Sequence, residues 1–171
     1  MTPTTSCEPF LEPTPMPMPA PDAFRSACAQ FPTGVVVVTT AADGKPYGST
    51  VNAFTSLTLE PPQVLVCLAA TSRTWSAIER SGVFAVNVLA SDQASTARLF
   101  ASKDPDKFAH VDHVPGAVGA PLLTGTTARF ECELAGTLRN NSHWMLIGRV
   151  VSLASDPSRE PLLFVRGRLT G

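Results

Sequence analysis

FPTGVVVVTTAADGKPYGSTVNAFTSLTLEPP, residues 31–62, decides the fold of this chain. Gly34 opens a run of β-branched residues that reads as one strand, and Asp43-Gly44 supplies a tight turn into a second. The second begins with Ser49-Thr50-Val51-Asn52-Ala53, small and polar where a core strand carries bulk, and runs to the double proline at 61 and 62. Short hydroxyl and amide groups along a strand suit a flat ligand with polar edges.

Outward from that hairpin the pattern stays β-rich. Residues 64–69 form a continuous apolar run, the mark of a buried strand, and 72–80 read as a helix capped by Thr71 or Ser72 and stopped at Gly82. A strand follows at 84–89, a helix at 91–100, and a long loop rich in lysine and aspartate at 102–119, of a length that is functional or mobile as a rule. Residues 127–138, 144–153 and 162–168 alternate as strands. Upstream, 22–30 read as a short helix with Asp22 at its N-cap, ending before Phe31-Pro32. Residues 1–21 hold seven of the 16 prolines and have no periodicity, so we expect a disordered or extended proline-rich tail before a single domain at 22–171.

Six or seven strands joined by hairpins, with three short helices and no regular strand-helix-strand alternation, predict a mainly β chain folded as a closed or split antiparallel barrel. A doubly wound parallel sheet is the weaker alternative, and neither G-x-G-x-x-G nor G-x-x-x-x-G-K occurs to support it.

Composition excludes several functions. At 171 residues, 44% hydrophobic, with 13 basic against 14 acidic residues, the chain has no charge with which to grip nucleic acid or an anionic membrane. Cys7, Cys28, Cys67 and Cys132 form no C-x-x-C, and His110, His113 and His143 complete no zinc pattern with them, so we expect incidental thiols and no metal. His110 and His113 precede Val114-Pro115-Gly116 and read as loop residues. The N-terminus lacks the basic start and apolar stretch of a secretory leader, and the apolar run 34–38 is far short of the roughly 20 residues that span a bilayer. We therefore expect a cytoplasmic enzyme acting on small molecules.

FPTGVVVVTT (31–40), GSTVNAFTSLTLEPP (48–62), VLVCL (64–68) followed by Ser72 and Thr74, FAVNVL (84–89), Phe100-Ala101, Lys107-Phe108, GAPLL (119–123), Ser142-His143 and PLLF (161–164) occur in one order across residues 24–168. This set resembles the flavin reductase family of FMN-binding split barrels, the reductase components of two-component flavin monooxygenases. The resemblance implies a homodimer that binds FMN or FAD near its subunit interface, reduces it with NADH or NADPH, and releases it to a flavin-dependent monooxygenase.

It also implies roles. Thr33, Thr50, Val51, Asn52 and Ala53 match positions along the flavin ring, with Gly34 and Ser49 beside them in the cofactor-binding set. Cys67 through Thr74 matches the phosphate anchor, where Ser72, Arg73 and Thr74 sit at a helix start whose free N–H groups favour an anion. His143 matches the histidine that seats the nicotinamide, the one residue expected at the catalytic centre, while hydride transfer itself asks mainly for oriented rings. Phe100, Lys107 and Phe108 match residues that flank or cover the flavin, and Phe164 and Arg166 match an aromatic and a basic residue near the nicotinamide or the second phosphate.

The chain departs from the family at Asn141-Ser142-His143, where a glycine is usual at the first position, and at Trp144, where a small residue is more common. A restricted turn and a narrowed pocket are the expected consequences. Phe164 and Leu169 stand where tyrosine is frequent. Two other readings remain open from the residues: a flavin carrier without turnover, or a barrel turned to a different reaction.

Overall fold

The computed structural model describes residues 17–170. The residues before 17, most of the expected tail, lie outside that range.

Seven antiparallel strands form the main sheet, in the order β3 (Lys45–Val51), β2 (Val36–Ala42), β6 (Val83–Val88), β9 (Ala128–Asn140), β10 (His143–Ser155), β5 (Pro62–Ala69) and β4 (Phe54–Leu59). Its two edge strands, β3 and β4, are consecutive in the chain and joined only by Asn52 and Ala53. Laid flat, seven strands would hold those edges about 29 Å apart. Two linking residues reach about 11 Å at full stretch, so the sheet has to curl until its edges meet. The link thus closes the barrel, and its Ala53 carbonyl, accepting from Cys67 N at 3.1 Å, extends the β4–β5 pairing by one residue.

The valine run is buried on both faces because β2 separates two cores. Val36 and Val38 point into the barrel, against Val66, Leu68, Phe84, Val86 and Leu146. Helix α2 (Arg73–Ser81) inserts Trp75 and Ile78 into the same cluster. Val35 and Val37 face outward onto Phe100 of helix α3 (Ala94–Ala101), Leu123 of β8 (Pro121–Leu123) and Leu162. A small sheet of β1 (Thr33–Gly34), β11 (Leu163–Val165) and β12 (Arg168–Thr170) flanks this second core. Buried Asn87 knits it together, its amide donating to Val37 O and Thr39 Oγ1, both at 3.1 Å, while its Oδ1 accepts from Leu123 N at 2.9 Å.

Four expectations need correction. The second strand of the opening hairpin is two strands, broken at exposed Asn52 and Ala53 by the barrel closure. Residues 162–168 are a hairpin, turning at Arg166 (φ 50°) and Gly167 (φ 76°), because only that reversal returns the chain onto β11. The long loop carries a 3-10 turn at Lys107–His110 and the strand β7 (His113–Pro115) paired with β8. Helix α1 (Pro21–Cys28) is capped by Ala20, so Asp22 lies in its first turn, ion-paired with Arg25 at 2.9 Å. The cap at Ser72 and the stop at Gly82 (φ 70°) stand as expected.

Candidate functional site

A cleft of about 1300 Å³ opens between β3, the β5–α2 junction, the C-terminal end of α3 and residues 102–109. Its polar wall is built by strand alternation meeting a helix start. Ser49 on β3 faces Thr74 in the first turn of α2, their hydroxyls 2.8 Å apart, with Ser72 Oγ at 3.4 Å. Ser72 also accepts from Trp75 N. Thr74 is 2% exposed while Arg73 beside it is open to solvent, so hydroxyls, free N–H groups and one guanidinium converge where an anion would sit.

The opposite wall is aromatic. Phe100 and Phe108 meet edge to face with centroids 5.1 Å apart. Gly48 is what lets Phe100 in, since a Cβ there would lie 2.5 Å from its ring. Lys107, which the sequence presents as a loop lysine, is 8% exposed and donates to Phe100 O at 2.8 Å and Gly48 O at 3.4 Å. Burial lowers its pKa from the ordinary lysine value, nearby Arg73 adds to the shift, and Asp104 opposes it.

A second, apolar groove of about 240 Å³ lies on the other side of Thr50 and Val51, walled by Val35, Ala97, Phe164 and Leu169, with Asn52 at its edge. Thr50 donates its hydroxyl to Ala97 O at 2.7 Å, so toward a ligand it presents backbone and an oxygen lone pair. At the small sheet, Thr33 pairs with Phe164, and Thr33 Oγ1 is buried without any hydrogen-bond partner in this structure.

Most of the expected residues therefore gather around two adjoining cavities: Ser49, Thr50, Val51, Ser72, Arg73, Thr74, Phe100, Lys107 and Phe108 line the cleft, and Asn52 and Phe164 join Thr50 and Val51 at the groove. Thr33, Gly34 and Ala53 lie outside both, the first two on β1 and Ala53 in the exposed link between β3 and β4. Cys67 alternates away from cleft-lining Leu68, and burial raises its thiol pKa, so it offers no reactive thiolate to the site. Arg166 is turned onto α1, its Nε donating to Gln30 Oε1 at 3.1 Å.

His143 opens β10 directly opposite Ala69, which borders the cleft, but its side chain shares the Cys67 face of the sheet and it lines neither cavity. Its Nδ1 lies 2.9 Å from Ser142 Oγ. The turn does not need a glycine, because Asn141 adopts the left-handed conformation (φ 50°) that asparagine tolerates well. Trp144 does not narrow the cleft either, since it turns inward and stacks on Trp75.

Sequence reasoning missed Lys45, Tyr47 and Lys103, which also line the cleft. Tyr47 was within reach, since Tyr47, Ser49 and Val51 share one face of β3 by the two-residue period. Among the described residues, no group of three or more His, Cys, Asp or Glu is placed to hold a metal, and no helix is long and apolar enough to cross a membrane.

A curled antiparallel barrel with an anion-suited helix start, an aromatic wall and an adjoining apolar groove is the build of a split-barrel oxidoreductase that takes a flat, phosphorylated cofactor. The converging groups at Ser72–Thr74 and the aromatic wall beside them fit a flavin. The chain belongs to the family described as Flavin reductase like domain, which matches residues 28–171. It is 49% identical over 151 residues to HsaB, the reductase subunit of a flavin-dependent monooxygenase of Rhodococcus jostii, covering 88% of this chain and 77% of that one. Among solved structures, the NADH:FAD oxidoreductase SgcE6 of Streptomyces globisporus, in complex with NAD and FAD fragments, superposes with a TM-score of 0.83 at 38% identity, covering 86% of this chain and 90% of that one. BorF, the flavin reductase component of a bacterial two-component tryptophan halogenase, gives 0.82 at 35% identity, with 88% and 96% covered.

Proposed function

We propose that the chain takes hydride from NADH or NADPH, places it on FMN or FAD, and hands the reduced flavin to a separate flavin-dependent monooxygenase. The observation that carries this reading is the pair of cavities divided by Thr50 and Val51. A flavin is amphiphilic in the same sense, with a flat ring at one end and a phosphate at the other. The ring supplies the hydride acceptor, and the chain supplies orientation and exclusion of water.

In this arrangement the groove and Thr33 receive the ring, Ser49 and Thr50 border the ribityl chain, and Ser72, Arg73 and Thr74 hold the phosphate. His143 seats the nicotinamide from beside Ala69, at the cleft's edge. FMN and FAD share the first phosphate, and the cleft runs on to Lys45 and Lys103, which leaves room and positive charge for an adenylate half. Arg166 lines neither cavity and has its Nε on Gln30, in the turn after α1.

Leu59, Leu138, Val151 and Leu153 are exposed on β4, β9 and β10. Val151 and Leu153 lie two residues apart on β10, and exposed apolar side chains there support a cover by a second copy of the chain in a cytoplasmic homodimer.

Loss of NADH and NADPH absorbance under anaerobic conditions, with FMN, FAD and riboflavin added in turn, tests the reading. Consumption that needs both protein and flavin supports it and ranks the cofactors. Flavin binding with no consumption points instead to a carrier.

A further inference from the structure

The sequence contains two tryptophans, and both stand in one stack. Trp75 and Trp144 have ring centroids 4.7 Å apart and planes inclined by 29°. Each is tied to a different end of the site. Trp75 is the third residue of α2, 5% exposed, and its backbone N–H is capped by Ser72, one of the anion-suited hydroxyls. Trp144 follows His143 directly, and strand alternation sends the two side chains to opposite faces of β10.

His143 has little to fix it by itself. Among the described residues its side chain makes one hydrogen bond, to the neighbouring Ser142, and it is exposed. Its place depends on the backbone of residues 142–144. That backbone is held by Ala70 N donating to Ser142 O at 2.8 Å and by the indole of Trp144 lodged against the barrel core, with the Arg139 guanidinium 5.9 Å from its centroid. A small residue at 144 would leave the hairpin end attached through main-chain bonds alone.

We propose that Trp144 is a positioning residue for nicotinamide binding: its stack on Trp75 fixes the His143 backbone beside Ala69 at the cleft's edge and links that histidine mechanically to the helix that holds the flavin phosphate. The inference rests on His143 seating the nicotinamide.

The test compares Trp144→Leu, Trp144→Met, Trp144→Phe, His143→Ala and the Leu/Ala double variant in three readouts: calorimetric binding of NAD+ to the FAD-loaded protein, the flavin dissociation constant, and KM for NADH apart from kcat. Trp144→Leu should weaken NAD+ binding and raise KM for NADH about three- to tenfold, the range a lost aromatic pair allows, with flavin affinity unchanged. Trp144→Met, about the size of leucine but unbranched and better able to fill an irregular gap, also lacks the ring stack and carries the same expectation should the leucine variant fail to fold. Trp144→Phe should restore binding, and the double variant should be no worse than His143→Ala alone.

Nucleotide binding weakened by His143→Ala but untouched by Trp144→Leu or Trp144→Met overturns the inference and leaves the role of His143 standing. Equal weakening of flavin and nucleotide binding also overturns it, since the stack would then support the barrel as a whole. Binding unaffected by His143→Ala removes the role of His143 itself, and the inference falls with it.

Discussion

The ammonium of Lys107 lies 2.8 Å from the carbonyl oxygen of Phe100, at the C-terminal end of α3, with the Gly48 carbonyl as its second acceptor at 3.4 Å. Lys107 thus fastens the loop to a helix end and a strand at once, and sets the angle between Phe100 and Phe108. Replacing it with methionine should raise KM for flavin about tenfold or more, in keeping with the loss of a charge-assisted bond, while changing kcat less.

The same residue predicts a pH dependence of stability. Its folded-state pKa is below the ordinary 10.5, so the unfolded chain binds more protons in the interval between the two values. Stability contributed at this site therefore rises with pH through that interval and is lowest below it. Melting curves taken from neutral pH to 10.5 should show the rise in the parent relative to Lys107→Met, and coincident slopes would refute it.

Thr33→Val removes a buried hydroxyl that satisfies no protein group. The flavin-free variant should be as stable as the parent or more so, by up to about 1 kcal/mol, because an unpaired buried hydroxyl costs free energy. Flavin affinity should fall at the same time. A fall in both would show that the hydroxyl serves the fold, and no change in affinity would remove Thr33 from the site.

Arg73→Ala should separate flavins by their phosphates. Affinity for FMN and FAD should drop about tenfold, in line with loss of one guanidinium contact to an anion, while riboflavin is unaffected. A fluorescence titration with all three decides it. Equal losses for riboflavin and FMN would move the phosphate away from Ser72–Thr74.

Gly148 sits in β10 where a Cβ would press on the Phe84 ring and lie 2.9 Å from Cys132 Cβ. Both neighbours are fully buried. Gly148→Ala should cost about 1–3 kcal/mol by overpacking, read as a lower denaturation midpoint with an unchanged slope. A neutral result would mean that the barrel wall yields there.

How far the sequence discloses this molecule depends on whether the deciding force is local. The β2–β3 turn at Asp43-Gly44, the Ser72 cap and the Gly82 stop are local chemistry, and they are where the sequence puts them. The break at Asn52-Ala53 is set by closure of seven strands, which no window of residues contains. Lys107 lies in a run of charged and turn-forming residues that reads as solvated, and only its position beneath α3 buries it. The hairpin at 162–168 was more accessible, since Gly167 signals a reversal that alternation alone hides. For the site, the family resemblance named the helix start and the aromatic wall of the cleft, but it missed Lys45, Tyr47 and Lys103 and gave no sign that Trp144 points inward or that Arg166 bonds Gln30.

The long loop was expected to be functional or mobile, yet it is secured along its length. Lys107 fastens its start, Thr124 N donates to Asp112 O at 3.1 Å, and the buried carboxylate of Glu131 accepts from Val118 N at 3.0 Å. Where the loop borders the cleft, at residues 102–109, the anchor is Lys107 on α3 and β3. With the rim fastened there, cargo exchange should show no gating step: the observed association rate should climb in proportion to flavin concentration without reaching a plateau, as expected where dissociation and diffusion alone govern delivery.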